Sequence, residues 1–172
     1  MPDRPYRRGG FTLVELIIAV AVLALLCGLA LPSFSGLTRR LQADTLRLQL
    51  HAAMNRARTE AVVKRTLVGL CASSDGATCG GKWGHGWITF SAARASGDPA
   101  SPDHILHVHH RSPTPALVAR GNRRRVFFHP DGSSRTANLS VTICLQQSVH
   151  SKVIVNVGGR ARSMRERRHR TC

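Results

Sequence analysis

The sequence predicts an α+β protein: a long N-terminal helix, membrane-spanning in its first half, packed on an antiparallel β-sheet globular domain. Three observations carry this. The stretch Phe11 to Leu31 is apolar almost throughout. Beyond Pro32, apolar residues recur at helical spacing against a basic face. After Lys64 the pattern changes to short β-like runs separated by turn residues. With 172 residues, the chain has room for one ordinary domain beside such a helix.

Within Phe11–Leu31, Glu15 is the only charge and Thr12 the only other clearly polar side chain. At about 1.5 Å per residue the run spans about 30 Å, the hydrocarbon thickness of a bilayer. A secretory signal peptide shares the basic start and apolar stretch, but this run exceeds an ordinary apolar core and "LALPSFSG" is a weak cleavage site. Arg4, Arg7 and Arg8 precede the run, while Arg39 and Arg40 follow it. Because long domains translocate largely regardless of charge, the short basic end is placed in the cytoplasm.

Past Pro32 the apolar stripe is Leu37, Leu41, Leu46, Leu50, Met54, Ala57 and Ala61, opposite Arg39, Arg40, Arg47, Arg56 and Arg58. One helix is therefore expected to about Val63, kinked at Pro32, which lacks a backbone donor and clashes with the preceding turn. The β-like runs are "TLVGLC", "GWITF", "HILHVHH", "RVFFHPDG", "LSVTICL" and "KVIVNVGG", punctuated by Asp75-Gly76, Asp131-Gly132 and "SPTP". Residues 92–102 have loop composition. The organisation expected is a leader at 1–10, a membrane-spanning half-helix at 11–31 and an amphipathic half-helix at 32–63. A β-rich domain at 64–157 and an arginine-rich tail at 158–172 follow.

Lys and Arg total 25 against 9 acidic residues, a formal net charge of +16. Such an excess points to a polyanionic partner or an anionic surface, with solubility as the plainer explanation. Aromatic content is low, so single-strand stacking platforms are not indicated. Of five cysteines, Cys27 lies in the apolar run and Cys71, Cys79, Cys144 and Cys172 lie beyond it. An oxidising compartment would pair those four. Of three connectivities, Cys71–Cys79 with Cys144–Cys172 is favoured because local closure is easiest, and zinc is a weaker alternative without a close Cys-x-x-Cys pair.

The N-terminal stretch "GFTLVELI" resembles the type IV pilin and pseudopilin class. The matching features are a leader ending at Gly10, a new N-terminal Phe11, Glu15 fifth from it and Pro32 twenty-second. The resemblance implies that a prepilin peptidase cuts between Gly10 and Phe11 and N-methylates Phe11. It also implies that Glu15 serves assembly with other pilins in a filament. Buried charges in hydrocarbon are costly and usually partnered, so the freed amino terminus of a neighbouring subunit would neutralise Glu15. Snorkelling of Glu15 to the headgroups is the alternative. The implied location is the bacterial inner membrane, single-pass, with the globular part in the periplasm before incorporation into a pilus.

Within that class the chain is similar to the FimT/GspH group through "LCASSDGATCGGKWGHGWITF", "VFFHPDG", "LSVTICL" and "VNVGGRAR". The FimT-like branch implies DNA binding for natural transformation. The GspH-like branch implies a tip subunit of a type II secretion pseudopilus, and purely structural pilus priming is a further alternative. Between Gly158 and Cys172, six arginines face Glu166 alone. "GRAR" at 159–162 matches the Gly-Arg-x-Arg element of the FimT branch, so Gly159, Arg160 and Arg162, then Arg165, Arg167 and Arg168, are the expected contacts to a DNA phosphate backbone. Glycine allows close backbone approach, and arginine offers a planar fork for phosphate. Alternation would put Arg160 and Arg162 on one face if the last strand continued, and a Cys144–Cys172 bridge would lower the ordering cost of binding. A solvated terminus or contact with anionic lipid is the rival explanation. Arg123, Arg124 and Arg125 would either extend the surface or simply be exposed at the start of a strand.

Other chemistry is sparse. His104, His107, His109 and His110 cluster, but His107 and His109 alternate with apolar residues as solvent-facing strand positions would, and only Asp103 offers a carboxylate nearby. His85 and Trp87 read as turn and core. No nucleophile, base and orienting-group constellation, GxGxxG or P-loop is present. Neither enzymatic activity nor a metal or cofactor is expected.

Overall fold

The structure, a computed structural model, describes residue 10 and residues 12–112, 114–135, 138–168 and 170–172, without the side chains of 29–33. Phe11 and the basic leader before Gly10 lie outside the described residues, while Pro32, where a kink is expected, falls within the helical backbone of α1 without a described side chain. The chain divides into two units, Met1–Thr38 and Arg39–Cys172. Helix α1, Leu13–Lys64, contributes to both.

In the first unit α1 opens at a cap. The Thr12 hydroxyl accepts a hydrogen bond from the Glu15 N–H at 3.2 Å, and the Thr12 carbonyl accepts one from Leu16 at 3.1 Å. Thr-x-x-Glu is the spacing of a capping box, and a carboxylate in the first turn faces the positive end of the helix dipole. Glu15 thus has a local helix-starting role that its spacing alone could have revealed. The apolar side chains from Leu13 to Leu26 are exposed. Among the described residues no helix is long and apolar enough to cross a membrane.

In the second unit the buried stripe of α1 is Ala43, Leu46, Leu50, Met54, Ala57 and Ala61. Leu37 and Leu41, expected on the same stripe, are exposed, and burial on α1 begins at Ala43. Eight strands follow: β1 Leu67–Ala72, β2 Gly86–Ala92, β3 Ile105–His110, β4 Leu117–Gly121, β5 Arg125–Phe128, β6 Leu139–Leu145, β7 Ser148–Val155 and β8 Ala161–Arg165. They form two antiparallel sheets rather than one, ordered β3-β2-β1-β5 and β4-β6-β7-β8.

The helix stripe shares one core with the inner faces of both sheets, including Leu70 and Phe128 from the first and Val141, Ile143 and Val153 from the second. A smaller cluster on the other face of the first sheet joins Cys71, Ile88, Phe90 and Phe127, with Phe90 edge-on to Phe127 at 6.1 Å. The Cys71–Cys79 disulfide closes the loop after β1. Within that loop, Asp75 accepts hydrogen bonds from Ser73, Ala77 and Thr78, which hold its carboxyl well below the usual range.

Candidate nucleic-acid interface

The arginine-rich C-terminal stretch is not a tail. It supplies β8, which pairs with β7 from Val155↔Ala161 to Ser151↔Arg165. The following residues keep to the same track: Glu166 N–H bonds the His150 carbonyl, Val149 bonds Arg170, and Cys172 bonds Gln147. Cys172 is bonded to Cys144 on β6, fixing the end of the chain to the sheet. An exposed run of charge carries no pairing signal, which is why this edge read as a tail.

Strand alternation then divides the arginines. Ala161, Ser163 and Arg165 face the helix, where the Arg47 guanidinium donates to the Ser163 hydroxyl at 3.0 Å. Arg165 forms a two-pronged pair with Asp44, at 2.8 and 2.6 Å. Burial opposes ionisation of Asp44, but the Arg165 fork, with His150 and Arg47 nearby, outweighs it and holds the carboxyl below its ordinary pKa. Arg165 is therefore engaged in fixing β8 to α1, in contrast to the phosphate role expected for it.

Arg162 lies on the opposite face of β8, and Arg160 lies in the turn just before the strand. Both are exposed, and neither side chain has a partner among the described residues. The same holds for Arg167 and Arg168 beyond the strand. Gly159 serves the fold. Its φ is +74°, it is buried, and a Cβ there would overlap the Gly132 carbonyl oxygen. Close approach is required as expected, but to the β5–β6 loop. That loop is held in turn by Arg58, which donates to the Gly132 carbonyl at 2.9 Å.

Two cations absent from the sequence-based set share the outer face with Arg162: Lys152 on β7 and Arg120 on β4. Their inward neighbours Val153 and Ala119 are buried, so parity turns both outward. The alternation in "LVAR" was a usable signal for Arg120, whereas Lys152 joins Arg162 only through the register. Arg123 and Arg124 lie in the exposed turn after β4, and their carbonyls receive Trp83 Nε1 and the Ala72 N–H. Arg125 is paired with Asp98 at 3.1 Å and also reaches the Gly97 carbonyl, so it does not join this face.

The histidines are placed otherwise than expected. His109 stacks on Trp87 at 4.1 Å, and His107 meets Glu60 at 3.1 Å, both on the helix side, while Val108 between them is 48% exposed. Their polarity concealed the parity, since apolar alternation usually marks the inward face. Among the described residues no group of His, Cys, Asp or Glu is arranged to hold a metal ion.

Comparison with known proteins gives the family and the fold. A family model described as Type II transport protein GspH matches residues 48–159. A second, the prokaryotic N-terminal methylation motif, matches residues 6–31. The chain is 29% identical over 162 residues to the pilin-like protein PilA1 of Thermus thermophilus, covering 90% of this chain and 97% of that protein. Its fold is similar to the type IV minor pilin FimU of Pseudomonas aeruginosa, with TM-score 0.60 and 21% identity over 77% of this chain and 96% of FimU. It is also similar to the minor pseudopilin EpsH of the Vibrio cholerae type 2 secretion system, with TM-score 0.51 and 10% identity over 72% and 96% of the two chains. The match that spans most of the β-rich unit, with the methylation motif at the apolar start, makes this chain a member of the GspH family, within the minor type IV pilin and pseudopilin class.

Proposed function

We propose that the protein is a minor pilin that binds DNA without sequence preference, for DNA uptake in natural transformation. The observation that carries this reading is the set of exposed guanidinium groups, without a partner among the described residues, at Arg160 and Arg162, with Arg167 and Arg168 along the same edge. They stand on or directly beside β8, which is held by β7, by the Asp44 clamp and by a disulfide. Pre-ordering lowers the cost of binding a polyanion. In this reading, prepilin peptidase removes residues 1–10 and methylates Phe11. Glu15 then meets the amino terminus of a neighbouring pilin, and the inner membrane holds the subunit, with its β-rich part in the periplasm, until assembly. The protein acts as a structural and binding subunit, not as an enzyme.

The test is fluorescence anisotropy of labelled duplex DNA with the full chain in nonionic detergent, across a salt series. About four phosphate contacts predict a log–log slope of about −3 to −4. Replacing Arg160 and Arg162 together by Gln should flatten it by about one to two units, weaken every sequence alike, and lower transformation. Unchanged affinity would move the leading reading to a tip subunit of a type II secretion pseudopilus, which the GspH family match favours.

A further inference from the structure

A cleft of about 290 Å³ lies between α1 and the edge of the first sheet. Its helix wall is Gln49, Ala52, Ala53 and Arg56, which their three- and four-residue spacing places on one stripe. The two alanines are short, so the space between helix and sheet stays open here, whereas on the neighbouring stripe Leu50 and Met54 fill it. The sheet wall comes from β2 and β3, whose register sets Trp87 opposite His109 and Thr89 opposite His107. Strand β3 is the outermost of that sheet, so the cleft opens to solvent along its edge.

The polar groups facing this cleft are largely unused. Thr89 is 2% exposed, yet its hydroxyl has no hydrogen-bond partner among the described residues. A buried hydroxyl without a partner is unfavourable, so a bound group that supplies one is favoured. Arg56 and Gln49 are exposed at the mouth, and neither side chain is bonded among the described residues. His109 stacks on Trp87 at 4.1 Å, and its ring nitrogens are likewise unbonded. His107 is occupied by Glu60 at 3.1 Å, and Glu60 is neutralised by Lys64 at 2.7 Å. The cleft thus offers a guanidinium, an amide, a ring N–H and a hydroxyl, and no described carboxylate lines it.

We infer that this cleft binds a short-chain monocarboxylate, with its oxygens on Arg56 and Thr89 and its aliphatic stem against Ala52 and Ala53. A planar guanidinium fork matches the two oxygens of a carboxylate. Arg56 is the one arginine or lysine among the lining residues. It balances a single negative charge, whereas a phosphate dianion would leave a second charge without a partner. Two sources share this chemistry: a free short-chain acid, and the glutamate side chain of another chain. The cleft lies beside the first sheet and β8 belongs to the second, so the inference does not depend on the DNA-binding reading.

The experiment follows the histidine ring resonances of the full chain, isotope-labelled at histidine, by NMR in nonionic detergent at fixed pH and ionic strength. The titrants are butyrate, a Gly-Glu-Gly peptide blocked at both ends, and inorganic phosphate. The His109 resonance should move saturably in the millimolar range with butyrate or the peptide, and the tighter of the two identifies the source. Arg56→Gln should weaken binding about tenfold, as loss of one charge-assisted hydrogen bond does, and Thr89→Val about threefold, as loss of a neutral one does. Arg160→Gln/Arg162→Gln should leave carboxylate binding within about twofold of wild type, which separates this site from the DNA-binding edge. The inference is overturned if neither carboxylate saturates the shift, if phosphate binds as tightly as butyrate, or if Arg56→Gln titrates like the wild type. Each of these outcomes leaves the DNA reading untouched. Arg56 is exposed, so Arg56→Gln tests the site even if Thr89→Val does not fold.

Discussion

Arg162 and Arg165 lie three positions apart on β8, yet substitution of each by Gln should have opposite consequences. Arg162 has no partner among the described residues and faces outward, so Arg162→Gln should leave stability within about 0.5 kcal/mol of wild type. It should also remove one phosphate contact, reducing the duplex salt slope by about 0.9. Between 50 and 200 mM salt the wild type would then lose roughly 3.5-fold more affinity than the variant. Arg165→Gln breaks both bonds to Asp44, whose side chain is only 14% exposed. Charge-assisted hydrogen bonds contribute about 1.5–3 kcal/mol. Arg165 is 63% exposed and Arg47 remains 3.4 Å from Asp44, so solvent screening and the remaining partner reduce the expected loss to about 1 kcal/mol. Urea denaturation of the full chain in detergent, read beside anisotropy with duplex DNA, measures both quantities. The reasoning is refuted if Arg165→Gln flattens the salt slope as much as Arg162→Gln while keeping wild-type stability.

Three further outcomes are expected. Gly159→Ala should destabilise by at least about 1–2 kcal/mol from its left-handed backbone alone, with displacement of Gly132 adding to this; a wild-type urea midpoint would contradict it. Replacing Cys144 and Cys172 by Ser opens a loop of sequence separation 28, for which chain entropy gives about 3.6 kcal/mol. Hydrogen exchange should then show residues 166–172 released from β7, and retained protection there would refute the anchoring role. Burial lowers the pKa of His109 and His150; Asp44 pulls His150 upward, while Arg165, Arg47 and Arg40 add to the lowering. The unfolded state therefore binds more protons below about pH 6.5, so stability should be full above that value and fall as pH drops through the folded pKa values. A urea midpoint that is flat or falling from pH 5 to 7.5 would exclude this.

The sequence by itself determined the elements whose signal is local. The apolar run ahead of Pro32, the stripe from Leu46 to Ala61 and the runs around Leu70, Phe90, Phe128 and Val141 each follow from spacing and composition. Strand β4 was missed because "LVARG" is short, ends in charge and lies between turn-rich segments. The basic character of the last residues was equally legible. Which arginines are free was not, because a strand shows its alternation but not which side faces the core. Register against β7 and the docking of α1 turn Arg165 onto Asp44 and leave Arg162 outside, and they bring Lys152 and Arg120 from distant strands to the same face. The division into two sheets, the contact of Gly159 with Gly132 and the inward turn of His107 and His109 are likewise pairings between residues far apart in the chain. Their energies depend on what lies opposite, and only the folded arrangement supplies that neighbour.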